Sequence, residues 1–310
     1  MKRILSAVLP EPVKARLRPH LDQYKARKLA ATTKRLDICA AQLAQVLSLA
    51  DHAPLSGKTC LEIGSGWVLS HAIVFHLLGA KRVLACDIAP LAHPKHLSLA
   101  IGRAIPSFVR DILSPFEDHD LIRSRLQCLR SISHFDFKAL NRIGIEYVAP
   151  IDLAKSRLGV SFDFVYSNSV LEHVPQDDIR GLLENLLHDL TPGGTMIHSI
   201  HLEDHGDIDR RPFDFLELPT SAYPRWRQTN TGNRIRASVW NEIFGNIANS
   251  QTRSIYSFKR TDVELPAQID KSIEYSDEQD LRTTHLGVFT RKDSSSSSQL
   301  LSRMENHAHV

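Results

Sequence analysis

The sequence predicts a doubly wound α/β fold. Apolar runs of strand length alternate with helical patterns along most of the chain. One such run breaks into a glycine turn, Gly64-Ser65-Gly66, and an acid, Asp87, ends the next run one strand-helix-strand step later. That order is how a chain builds a nucleoside pocket at the carboxyl edge of a parallel sheet.

Residues 1 to about 20 hold three prolines and many charges and read as irregular. From Leu21 to Leu49, apolar residues at Leu29, Leu36, Leu43, Val46 and Leu47 recur near helical spacing, which predicts a helix. Pro54 and Gly57 mark the entry to a buried strand, 59–63. After the glycine turn come a helix through Ile73, Val74, Phe75, Leu77 and Leu78 and a second strand, 82–86. Roughly 58 residues separate it from a third strand at 145–149, far more than a common crossover needs. Residues 93–140 therefore hold an insertion. Its Leu97, Leu99, Ile101, Phe108, Val109, Ile112 and Leu113 predict one or two extra helices.

A fourth strand, 162–167, runs out into a loop ahead of a helix at about 177–190. Thr191-Pro192-Gly193-Gly194 stops that helix and turns the chain into a fifth strand, 195–201. The segment 206–236 is long and rich in aromatic and turn residues, a kind of loop that is more often functional than not. Ser238 reads as the N-cap of a helix carrying Val239, Ile243, Phe244 and Ile247. Two strands near 253–258 and 284–290 complete the core, and five successive serines in the tail read as disordered. The division is a basic arm and helix over 1–56, one main domain over 57–292 and a tail over 293–310.

With 310 residues, 42% of them hydrophobic and 24% charged, the chain can bury a full core. A net charge of +3 does not indicate a dedicated nucleic-acid binder. Residues 1–35 carry ten Lys and Arg against Glu11 and Asp22. This reads as a solvated helix face, with contact to an anionic partner or a phosphorylated substrate as the alternative. Cys60 and Cys86 fall in buried strands as small hydrophobes. Together with Cys39 and Cys128 they show neither metal spacing nor a disulfide framework, so a reducing cytoplasm is the expected home. Met1 to Leu9 is too short and interrupted for a secretory signal, and no apolar run approaches a membrane span.

A dinucleotide fingerprint wants a third glycine where this chain has Leu69, and Glu62 would repel a pyrophosphate. The two-glycine turn suits a cationic, phosphate-free ligand better. Gly64 and Gly66 let the backbone approach closely, Glu62 helps hold an ammonium, and Asp87 accepts the hydroxyls of a ribose. Leu-Glu-Ile-Gly-Ser-Gly at 61–66, Phe-Asp-Phe-Val-Tyr-Ser-Asn-Ser-Val-Leu-Glu-His-Val at 162–174 and Leu-Thr-Pro-Gly-Gly at 190–194 occur in an order and spacing that resemble class I S-adenosylmethionine-dependent methyltransferases of the broad small-molecule type. The likeness covers about 57–290 and is weak in 93–140 and after 205. A glycine frequent in that family is Val68 here.

The resemblance implies a Rossmann-like sheet of seven strands, the last inserted antiparallel, with S-adenosyl-L-methionine as cofactor. It implies that Gly64, Ser65 and Gly66 meet the methionine and ribose, that Glu62 lies near the amino group, and that Asp87 holds the ribose. Ile88 presses one adenine face, and Ser167 and Asn168 line the methionine end. Asp152 resembles the acid that accepts the adenine amino hydrogen, with an N-cap role as the equal alternative. The helix before the first strand often lies over the cofactor mouth, and 206–236 is a candidate lid or substrate wall.

Methyl transfer from a sulfonium needs a dry cavity, an aligned nucleophile and sometimes a base. His201 and His205 follow the fifth strand on the acceptor side and are the candidate catalytic residues, ahead of Asp204 and His173. His173 lies in a stretch common across the family, which assigns it with Glu172 to a structural or cofactor-side role. Strand alternation puts His198 on the opposite face from His201, which argues against a metal site. Arg210, Arg211, Arg225, Arg234 and Arg236 either bind an anionic group of the acceptor or form loop surface. The reading is a methyltransferase acting on a small-molecule or glycosidic acceptor, at oxygen. A nicotinamide-dependent oxidoreductase and a cofactor-binding scaffold without catalysis are the competing readings.

Overall fold

Seven strands, β1 (Thr59–Ile63), β2 (Arg82–Cys86), β3 (Ile145–Val148), β4 (Phe162–Asn168), β5 (Leu190–His201), β6 (Ser250–Lys259) and β7 (Thr283–Lys292), form one sheet in a computed structural model that describes residues 22–132 and 135–294. The order is β3-β2-β1-β4-β5-β7-β6. β1 to β5 run parallel, and β7 enters antiparallel between β5 and β6. All seven strands lie where the sequence places them, in the expected Rossmann-like arrangement. The basic arm before residue 22 and the tail from residue 295 lie outside the described residues.

Side chains alternate across the sheet with period two. Cys60, Val83, Ala85, Phe164, Tyr166 and Ile197 face one core, while Leu61, Leu84, Cys86, Val165, Met196 and Val288 face the other. Both faces are covered by helices, so the central strands are nearly continuously apolar. The first core is closed by α2 (Leu36–Leu49) and α3 (Ser70–Leu77), the second by α8 (Gln176–Asp189) and α10 (Ala237–Gly245).

The helix expected over Leu21–Leu49 is two. Residues 22–31 form α1, a turn follows at 32–34, and α2 starts at Leu36. The break has a packing reason. Ala30 of α1 meets Val68 and Ala100, whereas Leu36, Ala40, Leu43 and Leu47 of α2 meet the sheet core. Side-chain bonds fix the turn: Ser70 Oγ donates to the Lys34 carbonyl at 2.8 Å, and Asp37 accepts from the Ile105 amide at 3.2 Å and pairs with Arg35.

The insertion holds four helices among the described residues, where one or two were expected: α4 (Pro94–Arg103), α5 (Pro106–Leu113), α6 (His119–Ser131) and α7 (Phe137–Arg142). Each start has a sequence signal. Pro94 and Pro106 open the first two, and the Asp118 and Asp136 side chains cap the amides of the others. Val109, Leu113, Ile122, Leu126 and Leu129 extend the first core.

Two further expectations are corrected. α8 does end at Asp189, but Leu190 already pairs with Phe162, so Thr191–Gly194 is a bulge inside β5 before pairing resumes at Thr195. Ser238 is not a cap. Arg236 holds the N-cap position of α10, and the Asp280 carboxylate accepts from both the amide and the hydroxyl of Ser238.

Candidate functional site

The loop after β1 is shaped by what surrounds it. Gly64 and Gly66 have φ of +64° and +61°, backbone that side chains rarely adopt. A Cβ at Gly64 would lie 2.4 Å from Val170 Cγ2, so the loop leaving β4 packs directly on this glycine. Val68 is buried with Ala30 and Ala100, flanked by Trp67 and Leu99. The side chain present in place of the frequent glycine thus anchors α1 above the loop.

Asp87 ends β2 with its carboxylate turned into that loop. Oδ2 accepts from the Gly66 amide at 2.8 Å and Oδ1 from the Ala89 amide at 3.0 Å. Burial raises its pKa, against these amides, which lower it. The Ser65 amide reaches the Cys86 carbonyl at 3.0 Å, and the Ile151 amide reaches the Asp87 carbonyl at 2.9 Å, so three strand ends are tied around one carboxylate. Ile88, next to it, leaves 69% of its surface exposed.

The other expected cofactor residues divide. Glu62 is buried with its oxygens directed at the start of α3, accepting from the Ala72 amide at 3.1 Å and facing His71 Nδ1 at 3.2 Å. Asp152 accepts from the Ala154 amide at 3.1 Å and pairs with Lys155 at 3.0 Å, heading a turn at 153–155; no helix starts there, so the N-cap alternative does not hold. Ser167 is turned inward: it is fully buried, and its hydroxyl meets His198 Nδ1 at 2.7 Å, so it does not line an open pocket with its side chain. Asn168, at the end of β4, is half-buried. His198 packs against Phe244 on the face away from His201, and burial pushes its pKa down to about 3.

Beyond the carboxyl ends of β4 and β5 and the amino end of β7 lies a cluster of carboxylates and imidazoles. Glu172 and His173 belong to a single-turn helix, Leu171–His173. The His173 and His205 rings are 4.5 Å apart between centroids, His205 and His201 are 4.6 Å apart, and His201 stacks on His285 at 4.4 Å. His201 Nε2 meets Glu203 Oε2 at 2.6 Å, and Arg260 holds the other oxygen of Glu203 at 3.3 Å. Burial pushes Glu172 up to about 7, His173 and His285 down to about 4, and His205 down to about 3. Lys25 of α1 adds a positive charge toward His173 and His205.

The expected pair His201 and His205 is therefore brought together, with partners the sequence did not single out. His285 arrives because it faces His201 in the β5–β7 register, a long-range pairing with no local signal. Asn233 is another. Its amide donates to the Glu172 carbonyl at 2.7 Å and its side chain to the Leu171 and Val174 carbonyls at 2.8 and 2.9 Å, which fixes the Glu172–His173 turn.

The arginines of 206–236 are not one anion site. Arg236 is fully buried and donates to the Leu202, Leu281 and Thr283 carbonyls at 2.8, 2.9 and 2.6 Å. Arg234 lies 4.0 Å over the Tyr223 ring and donates to the Leu218 carbonyl at 2.5 Å. Arg225, the first residue of α9 (Arg225–Thr231), pairs with Asp178, and Arg211 pairs with Asp214. Phe213, Phe215, Leu216 and Tyr223 form a separate small core with Ile273 and Leu281.

A family model described as a methyltransferase domain matches residues 34–244, more than half of the chain. A comparison with curated proteins gave no match. Among solved structures, the chain is similar to the N-methyltransferase NodS from Bradyrhizobium japonicum WM9 in complex with S-adenosyl-L-homocysteine, at 16% identity over 81% of this chain and 85% of that one, with a TM-score of 0.37. It is similar to magnesium protoporphyrin IX methyltransferase from Synechocystis PCC 6803 with bound S-adenosylhomocysteine, at 14% identity over 83% and 84%, TM-score 0.42. An S-adenosylmethionine-dependent methyltransferase from Mesorhizobium loti is 21% identical over 81% and 98%, TM-score 0.43.

Proposed function

The chain belongs to the methyltransferase domain family, and from that premise we propose that it moves a methyl group from S-adenosylmethionine to an oxygen of a small-molecule or glycosidic acceptor. The donor lies against the loop Gly64–Gly66, with Asp87 on the ribose, Ile88 on the adenine, and Glu62, Asp152 and Asn168 around it. The observation that carries this reading is the Asp87 carboxylate turned onto the Gly66 amide at 2.8 Å beside an exposed Ile88. A ribose diol fits a carboxylate that keeps acceptor capacity after two amide bonds, and an exposed branched side chain fits an adenine face.

In the transfer, the acceptor oxygen attacks the sulfonium methyl in line as the C–S bond breaks and the thioether leaves neutral. The protein's work is alignment and exclusion of water. His201, held by Glu203 at 2.6 Å, has the oriented arrangement of a group that takes the acceptor's proton. His205 faces Glu172 at 3.8 Å and its ring lies 4.6 Å from that of His201.

Calorimetric titration with S-adenosylhomocysteine and, separately, with a nicotinamide dinucleotide tests the donor. Binding of the first alone is expected. Tight dinucleotide binding without the other would overturn the reading. No described helix is long and apolar enough to cross a membrane.

A further inference from the structure

Three side-chain atoms in the histidine cluster converge with nothing to bind. Glu172 Oε2, His173 Nδ1 and His205 Nε2 are all buried without a hydrogen-bond partner. Buried polar atoms are rarely left so, and three on neighbouring residues call for one common partner. Glu172, His173 and His205 each offer a ligand atom within 4.8 Å of the others'. The His205 Nε2 to Glu172 Oε1 separation is 3.8 Å.

The neighbouring group of His201, Glu203 and His285 has similar spacing. It differs in one respect that decides between them: its carboxylate is already satisfied, by His201 on one oxygen and Arg260 on the other. The unfilled set is Glu172, His173 and His205, and the His201 ring braces His205 from 4.6 Å. Its supporting frame is built. Asn233 clamps the turn that carries Glu172 and His173, Ser169 Oγ donates to Glu172 Oε1, and the His205 amide is tied to the Thr231 carbonyl at 3.2 Å.

We propose that Glu172, His173 and His205 bind a divalent transition-metal ion and leave open coordination positions toward the acceptor pocket. Two imidazoles and one carboxylate are a donor set for zinc, iron, manganese or cobalt, not for calcium or magnesium, which take oxygen ligands. Metal-to-ligand bonds of about 2.0–2.2 Å place ligand atoms roughly 3–3.5 Å apart. The site closes by side-chain shifts on the order of 1 Å. Glu172 and Glu203 supply negative charge against the positive charge of Lys25 and Arg260. Strand alternation does remove His198 from such a site, as the sequence suggests, but two of the three ligands come from the turn after β4 rather than from β5. The proposal rests on the methyltransferase reading only for the use of the open positions, which would receive the acceptor; the binding of the ion stands on the three side chains alone.

The full chain, stripped with a chelator, is titrated with Co²⁺ followed by visible absorption and with Zn²⁺ by calorimetry. His307 and His309 in the tail offer a competing pair of imidazoles, so H307A/H309A is carried through as the reference protein. One equivalent is expected to bind that reference, with d–d bands of a low-coordinate site. E172Q and H205Q should each weaken it at least about 100-fold, beyond what loss of an outer partner does. Should a substitution unfold the chain, hyperfine coupling from two imidazole nitrogens to Cu²⁺ is read in the reference protein with and without H285Q, which removes an imidazole of the neighbouring group and should leave the two-nitrogen coupling unchanged. Absence of stoichiometric binding to the reference, unchanged affinity in both variants, or coupling from fewer than two nitrogens overturns the site. S-adenosylhomocysteine affinity is read in parallel. Metal binding without it would sink the donor reading and leave the ion site standing, and the reverse result would do the opposite.

Discussion

The two halves of the site are built on opposite principles. At the ends of β1 and β2, the polar groups are satisfied by neighbouring backbone: Asp87 is bonded to two amides, Glu62 accepts from an amide at the start of α3, and the loop glycines lie within a few residues of Glu62 and one crossover from Asp87. At the ends of β4, β5 and β7, Glu172, His173, His201, His205 and His285 come from three parts of the chain, and several of their atoms have no partner. The first half is a finished cradle whose shape is set by backbone. The second half keeps buried polar atoms open on Glu172, His173 and His205, and the proposed acceptor falls on that side. Binding and chemistry are accordingly separable by mutation.

The largest effect should come from the unfinished half. His201→Ala is expected to lower kcat by about 10²–10⁴-fold, the range for loss of a positioned proton acceptor, with S-adenosylhomocysteine affinity unchanged. Single-turnover rates alongside calorimetry decide it, and a matching loss of affinity would merge the two halves. Gly64→Ala should cost about 2–4 kcal/mol of stability, from backbone at positive φ and the contact with Val170. G64A/V170A should recover only the packing part, as urea midpoints would reveal. Asp87→Ala should weaken donor affinity by about 1–3 kcal/mol while leaving metal uptake untouched. An unchanged Kd in the folded variant would refute the ribose role.

The smallest expected effects concern Ser167 and His198. Ser167→Ala should lower stability by about 1 kcal/mol and leave donor affinity as it was, since its hydroxyl points to His198. His198 is buried uncharged with its pKa pushed down to about 3 from an ordinary 6.5. The unfolded chain takes up this proton at higher pH than the folded one. The stability His198 contributes is complete above about pH 6.5 and is lost as pH falls toward 3. Urea melts across that window should show a shallower acid loss in His198→Asn than in the parent protein.

What the sequence revealed follows the same division. Strands were legible because burial on both faces writes an unbroken apolar run, and the loop with Asp87 because glycine and acid stand one crossover apart. The break at 32–34 was not legible, because Leu29 and Leu36 keep helical spacing while serving different neighbours. The four helices of the insertion exceed the one or two that its apolar periodicity predicts, because their boundaries are written in the capping signals Pro106, Asp118 and Asp136 rather than in that periodicity. His201 and His205 were legible because they stand at the end of β5 and just beyond it. His285 and Asn233 were not, since only strand register and a returning segment bring them near.

The guanidinium of Arg236 joins carbonyls from Leu202, where β5 ends, and from Leu281 and Thr283, where β7 begins. Chain positions 202 and 236 bracket the whole aromatic excursion, so one buried cation fastens its neck shut. Such an excursion cannot swing open from its root. Bending of this segment is left to its outer part, around Pro224 and the solvent-facing Trp226, far along the chain from the buried cation that ties its two ends.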